Sequence, residues 1–437
     1  MTEQENIVDH LDILFRNLEA GLNGLSGSAM HQFQLKSFED LKSVQFPDKK
    51  HEDWRYTSVQ KLIAPKYKLA EHIPAYSIPT IPEMDSYVIP VINGKVALTD
   101  LGPGLASLGL KIIPLYEAFE NAEWKDIFGN YLSASIPTSN RAFELLNFAF
   151  NTNGFFLSIP KNTIVDLPIE IRIVHDEAEI SFSHPLFFIH CGQGSQVELI
   201  ERFEYNRESK NPSAEALINS IGYLHLEKNA IVRHIKWQEL STTHNLVYKL
   251  FVTQQRDSRF ETFAFDHGGL LTRNNVEVEL DDQNTYTSLH GGFLATGQQT
   301  MDHQTRINHK APQCESHELY KGIIDDQASA AFNGKVLVHK DAQKTNAFQQ
   351  NDTLVLSKFA LMNSKPQLEI FADDVKCSHG ATIGQLDEKA LFYLMSRGLP
   401  AGKAKHMLKK AFIAEVLNKV PNENMRNYIS SQMGIGE

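Results

Sequence analysis

The chain has 437 residues, 42% of them hydrophobic and 22% charged, which is ordinary for a folded protein that buries a large core and divides into about two to four domains. Its net charge of -11 opposes a general nucleic-acid binder, which needs a basic footprint, and no stretch approaches the roughly 20 apolar residues that span a bilayer. The three cysteines, Cys191, Cys314 and Cys377, form no CxxC pair, so neither a disulfide framework nor a self-contained four-cysteine metal site is available.

The opening MTEQENIVDHLDILF is acidic and lacks the basic region and apolar run of a secretory signal, so a reduced, cytoplasmic setting is expected. In ENIVDHLDILFRNLEAG, Ile7, Leu11, Leu14, Phe15 and Leu18 recur at helical spacing, with Gly21 as a stop. SFEDLKSVQFP and WRYTSVQKLIAP follow, the latter carrying Trp54 and Tyr56 ahead of a further apolar run. EHIPAYSIPTIPEMDSYVIP is rich in proline, which denies ladder donors, and reads as an extended connection. Helix is expected again in GLKIIPLYEAFENAEWKDIFG and SNRAFELLNFAF, which gives a helical or mixed region over 1–150.

From Gly154 the period changes. Short apolar runs such as SQVELIERFEY and HNLVYKLFVTQQ, cut by Asn, Asp and Gly turns, continue for more than 200 residues with no convincing helix between them. That opposes an alternating βαβ sheet and leaves a β-sandwich, a cupin-like double barrel and a parallel β-helix for the core over 151–385. EKNAIVRHIKW, TRNNVEVELDD and FNGKVLVHKDA each place Asn in a polar turn before a short strand, as stacked rungs require, which favours the last without settling it. Beyond Leu386 two helices are expected within 386–437, broken at Gly398 and Pro400, the second carrying Met407, Leu408, Ala411, Phe412 and Val416 on one side.

No GxxxxGK[ST], GxGxxG or GxSxG motif appears, so phosphate-loop, dinucleotide and serine-hydrolase chemistry have no support. His267, His290, His303, His309, His317 and His339 lie in the β region and read as turn or surface residues rather than a cupin metal centre. Cys191 reads as packing and Cys314, three before His317, as a weak soft-ligand pair. Cys377 and His379 differ, because two residues apart on one strand they share a face, where sulfur and imidazole could bind a soft metal such as iron. The pair supplies two ligands only, and the others would come from a partner chain or inorganic sulfide. A Cys–His nucleophile, its thiol pKa lowered by Lys376 against Asp373 and Asp374, and a packed turn are the alternatives.

At this stretch the sequence resembles a known family. NSKPQLEIFADDVKCSHGATIGQLDEKALFYLMSRGLP, HEDWRYT at 51–57, ELYKGI at 318–323 and KHMLKKAFIAEV near the end are similar to the SufB/SufD family of scaffold subunits in the SUF iron–sulfur cluster assembly machinery. The length and the DDVKCSHGAT wording favour its SufD branch over the SufB branch, and make a β-helix polysaccharide enzyme the remote alternative. The resemblance implies a mainly β fold, a right-handed parallel β-helix flanked by N-terminal and C-terminal helical regions. It also implies a scaffold that is not itself an enzyme, paired with SufB through the β-helices, with the ATPase SufC docked on the C-terminal helices. The family histidine at the SufB–SufD interface falls on His379 and the neighbouring cysteine on Cys377. The isolated chain is expected to hold no cofactor stably, iron or a nascent cluster being transient cargo of the complex, and the resemblance allows a flavin in the complex and a homodimer of the isolated chain. The SufC contact is expected over 391–417, through Leu391, Phe392, Met407, Leu408 and Phe412, and truncation after Ala381 is expected to leave the β body folded.

Overall fold

The computed structural model describes residues 3–22, 25–70, 81, 83–96, 105, 107–122, 124, 128, 141–211 and 214–435. Its centre is a parallel β-helix in which the chain alternates between two facing sheets, one of twelve strands and one of ten. Parallel neighbours cannot be joined by a tight hairpin, and here the chain crosses to the opposite sheet before returning to pair with itself one coil later. Leu271 pairs with Thr300 and Thr300 with Ser329, a step of 29 residues, and Tyr286 pairs with Glu315 at the same step on the facing sheet.

The coil turns have a local cause. Asn229, Asp257, Asn284 and Gln313 each adopt φ near +60° two residues before the strands Ile231–Leu240, Arg259–Gly268, Tyr286–Ala295 and Glu315–Ile324. Asn and Asp tolerate this left-handed backbone, whereas Gln313 has to be held there by the coil around it. The asparagine pattern expected to mark the rungs holds at Asn229 but not at the other two places. Asn274 and Asn333 lie inside the strands Leu271–Leu280 and Ser329–Val338, where they belong to the ladders and not to turns.

Strand alternation divides the side chains. Inward residues such as Leu199, Val232, Leu250, Val278, Phe293 and Phe332 fill the lumen between the sheets. Outward residues of the twelve-stranded sheet meet the N-terminal helices: Leu217, Val247 and Leu271 pack with Leu14, Phe15, Phe38 and Phe150. On the same face Phe188, Tyr223 and Phe251 stack along the ladder with ring centroids 4.7 and 4.9 Å apart. The helix Ala142–Phe150 is buried along its whole length, and Asn147 ties it to the β-helix by donating Nδ2 to the carbonyls of Pro185 and Asn219 at 2.9 and 2.6 Å.

The ten-stranded sheet is covered from the other end of the chain. Ile413, Val416 and Leu417 of the helix Ala401–Leu417, then Met425 and Ile429 of Glu423–Gln432, pack over Ile200, Ile235, Trp237, Phe263 and Phe265. Each such large side chain contributes on the order of 1.5–3 kcal/mol by leaving water. The second helix docks through Ile413, Val416 and Leu417 with Phe412 half-buried beside them, so of the expected stripe only its C-terminal part faces the sheet, while Met407 and Ala411 are exposed. The helix Glu423–Gln432 has no counterpart in the sequence reading.

Two N-terminal expectations change. Of the proline-rich stretch, 71–80 and 82 lie outside the described residues, but its end is the strand Tyr87–Ile92, paired in parallel with Ile169–Val174. Pro90 is tolerated in this ladder near its end, opposite Arg172. In GLKIIPLYEAFENAEWKDIFG the residues Lys111–Pro114 form a strand, antiparallel to Phe155–Ser158, and only Leu115–Glu120 is helical. Most of 123–140 lies outside the described residues. No helix of the described residues is long and apolar enough to cross a membrane.

Candidate functional site at the open end of the β-helix

The last strand, Val375–Gly384, pairs in parallel with Thr345–Val355 and has no strand on its far side among the described residues. Its own residues are exposed or half-buried throughout. Around this end Phe348, Phe359, Leu361, Ile370, Phe371 and Ile383 expose between 40% and 66% of their surface. An uncovered edge strand beside exposed apolar side chains is the kind of surface that another chain extends.

Cys377 and His379 sit on this strand, in register with Ala347 and Gln349. Ala347 and Gln349 are buried and face the lumen, so Cys377 and His379 share the lumen-facing side of the terminal rung, as their spacing requires. Their environments differ. Cys377 packs on the small apolar cluster of Val336, Val338, Ala342, Ala347 and Ala372. Burial pushes its thiol up, partly offset by a backbone hydrogen bond at Ala347. Lys376, on the opposite side of the strand, does not lower it, which removes the basis for an activated nucleophile. His379 is exposed.

Behind His379 runs a feature that the sequence reading missed, a polar spine inside the otherwise apolar lumen. Glu201 accepts from His234 Nε2 at 2.9 Å and from the Tyr248 hydroxyl at 3.0 Å. Lys236 Nζ pairs with Asp266 at 2.5 Å and lies over the rings of Phe203 and Tyr248, and Asn274 Nδ2 donates to Asp266 at 2.9 Å. His303, next along, is held neutral by burial and sits between Phe293 and Tyr320. Closest to the open end, Gln349 Nε2 donates to Glu318 Oε2 at 2.5 Å. Desolvation raises the Glu318 carboxyl to about 7. The available signal was a polar residue at the inward position of successive rungs, which is legible only once the register is known.

The other sequence candidates do not meet. Cys191 and Cys314 are buried in the lumen, and burial pushes the Cys191 thiol up to about 12. His317 points outward, stacked on Phe348 at 5.4 Å and bonded to Glu315, away from Cys314. His290, His303 and His309 are buried rather than turn or surface residues, His309 bonding Ser316 at 2.9 Å, while His339 is exposed. Burial holds His290 and His309 near pKa 3. Among the described residues no three His, Cys, Asp or Glu side chains converge as a metal site.

The remaining motifs have structural explanations. Trp54 of HEDWRYT is sandwiched between the Arg273 guanidinium, 3.8 Å from its ring centroid, and Phe143 at 5.1 Å. Arg273 also donates to Asp302 at 2.5 Å and to the Asp53 carbonyl at 2.7 Å, clamping the N-terminal region on the β-helix. In ELYKGI, Glu318 and Tyr320 face the lumen while Lys321 pairs with Glu415 of the C-terminal helix. The helix Glu388–Ser396, which follows the last strand, buries none of its residues. Phe392 is 74% exposed and Met407 47%, while Leu391, Leu408 and Phe412 are half-buried, Phe412 beneath Lys321 Nζ at 4.5 Å.

Comparison with known proteins agrees with this architecture. The family described as SUF system FeS cluster assembly, SufBD core domain, matches residues 173–412, and the SufBD protein N-terminal region matches residues 5–171. The chain is 31% identical to an iron–sulfur cluster assembly SufBD family protein of Synechocystis sp., over 92% of this chain and 90% of that one. It is 26% identical to the iron–sulfur cluster assembly protein SufD of Escherichia coli, over 91% and 90% of the two chains. With SufD of Bacillus subtilis it shares 28% identity over 91% of each. A parallel β-helix flanked by helices at both ends, matched along nearly its whole length, places the chain in the SufBD family of the SUF system of iron–sulfur cluster assembly.

Proposed function

We propose that this chain is a SufD-type scaffold subunit, not an enzyme in itself, which pairs with a SufB subunit through the open end of its β-helix and binds the SufC ATPase through its C-terminal helices. The observation that carries the reading is the uncovered strand Val375–Gly384, which brings Cys377 and His379 to an edge rimmed by exposed Phe359, Leu361 and Phe371. The two side chains are half a ligand set on one face, and a partner strand laid along the edge would bring the other half. Iron and sulfide are the cargo assembled there. An exposed imidazole is a borderline ligand suited to iron, and Cys377 has to lose its proton to serve as thiolate.

The SufC surface is the stripe formed by the helix Glu388–Ser396 and the exposed side of Ala401–Leu417. Phe392, Tyr393, Met395 and Met407 are apolar anchors that stay exposed among the described residues. A cytoplasmic setting fits the three free cysteines. Co-expression with SufB and SufC, followed by size exclusion and by iron and acid-labile sulfide analysis, tests the reading. A stable complex containing all three chains and iron is expected, and a chain that elutes alone, without iron, would overturn it.

A further inference from the structure

Among the lumen residues, Gln349 is the one whose hydrogen bonding is left half complete next to the candidate ligand. Its strand, Thr345–Val355, lies between Glu315–Ile324 on one side and Val375–Gly384 on the other, so Glu318, Gln349 and His379 form one inward row across three adjacent rungs. The Gln349 amide cannot be reversed freely. Glu318, when ionised, is an acceptor only, so the nitrogen must face it, and that bond is made at 2.5 Å. The side chain also lies flat over Gly334 of the facing sheet, where an added Cβ would come within 2.0 Å of Nε2 and 2.7 Å of Cδ. A larger residue at 334 would displace it.

With the nitrogen committed to one neighbouring rung, the trigonal amide turns its oxygen away from that rung. Gln349 Oε1 is buried and accepts no hydrogen bond from any described residue, the exposed His379 ring in its present orientation included, so a buried acceptor is left unmet. The next rung on that side presents His379, in register, on the same face, about 4.8 Å away at the backbone. An imidazole N–H is the donor that this oxygen lacks.

We propose that Gln349 is a positioning residue for His379: its amide oxygen accepts one ring N–H, fixing a single tautomer and turning the other nitrogen, with its lone pair, toward the open edge. Histidines that ligate metals commonly have the second nitrogen held by such an acceptor, which orients the ring and raises its basicity. The inference rests on the proposed function for its consequence, delivery of a lone pair to iron at the partner interface. The contact itself requires neither iron nor a partner.

The test uses the isolated full-length chain with 15N in the histidine rings, observed by long-range 1H–15N correlation at pH 8, with His379→Ala identifying the His379 signals. A single neutral tautomer is expected for His379 in the unmodified protein, and a mixture of both in Gln349→Leu. Gln349→Met, which keeps the reach of the side chain over Gly334, replaces the leucine variant if that one does not fold. A mixture in the unmodified protein, or a single tautomer that survives loss of the amide, overturns the proposal. Because no iron is present, this result is independent of whether His379→Ala lowers the iron content of the co-expressed complex, which tests the ligand role itself.

Discussion

Arg202 and Tyr428 join two parts of the chain 226 residues apart: the guanidinium Nη2 donates to the tyrosine hydroxyl at 3.0 Å, and the guanidinium carbon lies 4.9 Å from the ring centroid. Arg202 is buried among Glu170, Glu204 and the last helix, so this contact holds the C-terminal helices over Trp237. Tyr428→Phe removes one hydrogen bond to a cation that keeps two carboxylates, and should cost about 1 kcal/mol. Tyr428→Ala also removes the ring and should cost roughly 3 kcal/mol. Urea unfolding of the two variants checks the order, and equal midpoints would show that the contact does not hold the helices.

Removal of the residues after Ala381 should not leave the β body intact, contrary to the expectation from sequence. The cut uncovers Ile200, Ile235, Trp237, Phe263 and Phe265 at once and leaves Lys321 with Asp352 but without Glu415. The truncated protein should aggregate or bind a hydrophobic dye strongly. A soluble truncated chain with the unfolding midpoint of the full protein would contradict the packing.

The proposed SufC surface is therefore better tested by substitution than by truncation. Phe392→Asp and Met407→Asp alter side chains that face water in the isolated chain, so each should change stability by no more than about 0.5 kcal/mol. Co-purification with SufC should fall at least tenfold in the pair of substitutions. Retention at full strength, with folding unchanged, would place the contact elsewhere.

His379→Ala should lower the iron and acid-labile sulfide of the co-expressed complex more than Cys377→Ala does. The histidine is exposed, so its loss should cost no more than its one proposed hydrogen bond to Gln349, about 1 kcal/mol, and Cys377, which packs on Val336 and Val338, should cost a similar amount when removed. Full iron loading in His379→Ala would remove the ligand role, and loss of subunit pairing would reassign the residue to structure.

The buried titratable groups impose opposite pH slopes. Burial holds His175, His184, His290 and His309 near pKa 3 and His244 near 4, below the ordinary value of 6.5. The unfolded chain therefore binds more protons below about pH 6.5, and stability should fall as pH drops from there toward 3. Glu318 behaves in the reverse sense. Its folded pKa of about 7 lies above the unfolded 4.5, so its protonated form favours the fold at low pH and that stability is lost as pH rises from 4.5 through 7. Glu318→Gln keeps an acceptor for Gln349 and should gain roughly 2–3 kcal/mol at pH 8 relative to its effect at pH 4.5. Parallel stability curves for the variant and the unmodified protein would show that Glu318 ionises normally.

By itself the sequence determined the order of the regions and the class of the fold. Heptad-like spacing marks Glu3–Ala20, strand alternation marks more than 200 residues after Gly154, and the SufB/SufD resemblance is carried by contiguous words such as DDVKCSHGAT. These are local signals, because helix and strand periods are written in neighbouring residues. The same-side placement of Cys377 and His379 was legible for that reason, since it needs only one extended strand. Tertiary structure alone decided which rungs are neighbours. Glu318 and Gln349 are 31 residues apart, Gln349 and His379 another 30, and nothing in the local sequence marks them as one row. The same holds for Arg202 beneath Tyr428 and for Ile413, rather than Met407, on Phe263 and Phe265. A coil's register depends on the length and left-handed geometry of each turn, and a shift of one residue would exchange the lumen and outer faces of every strand that follows.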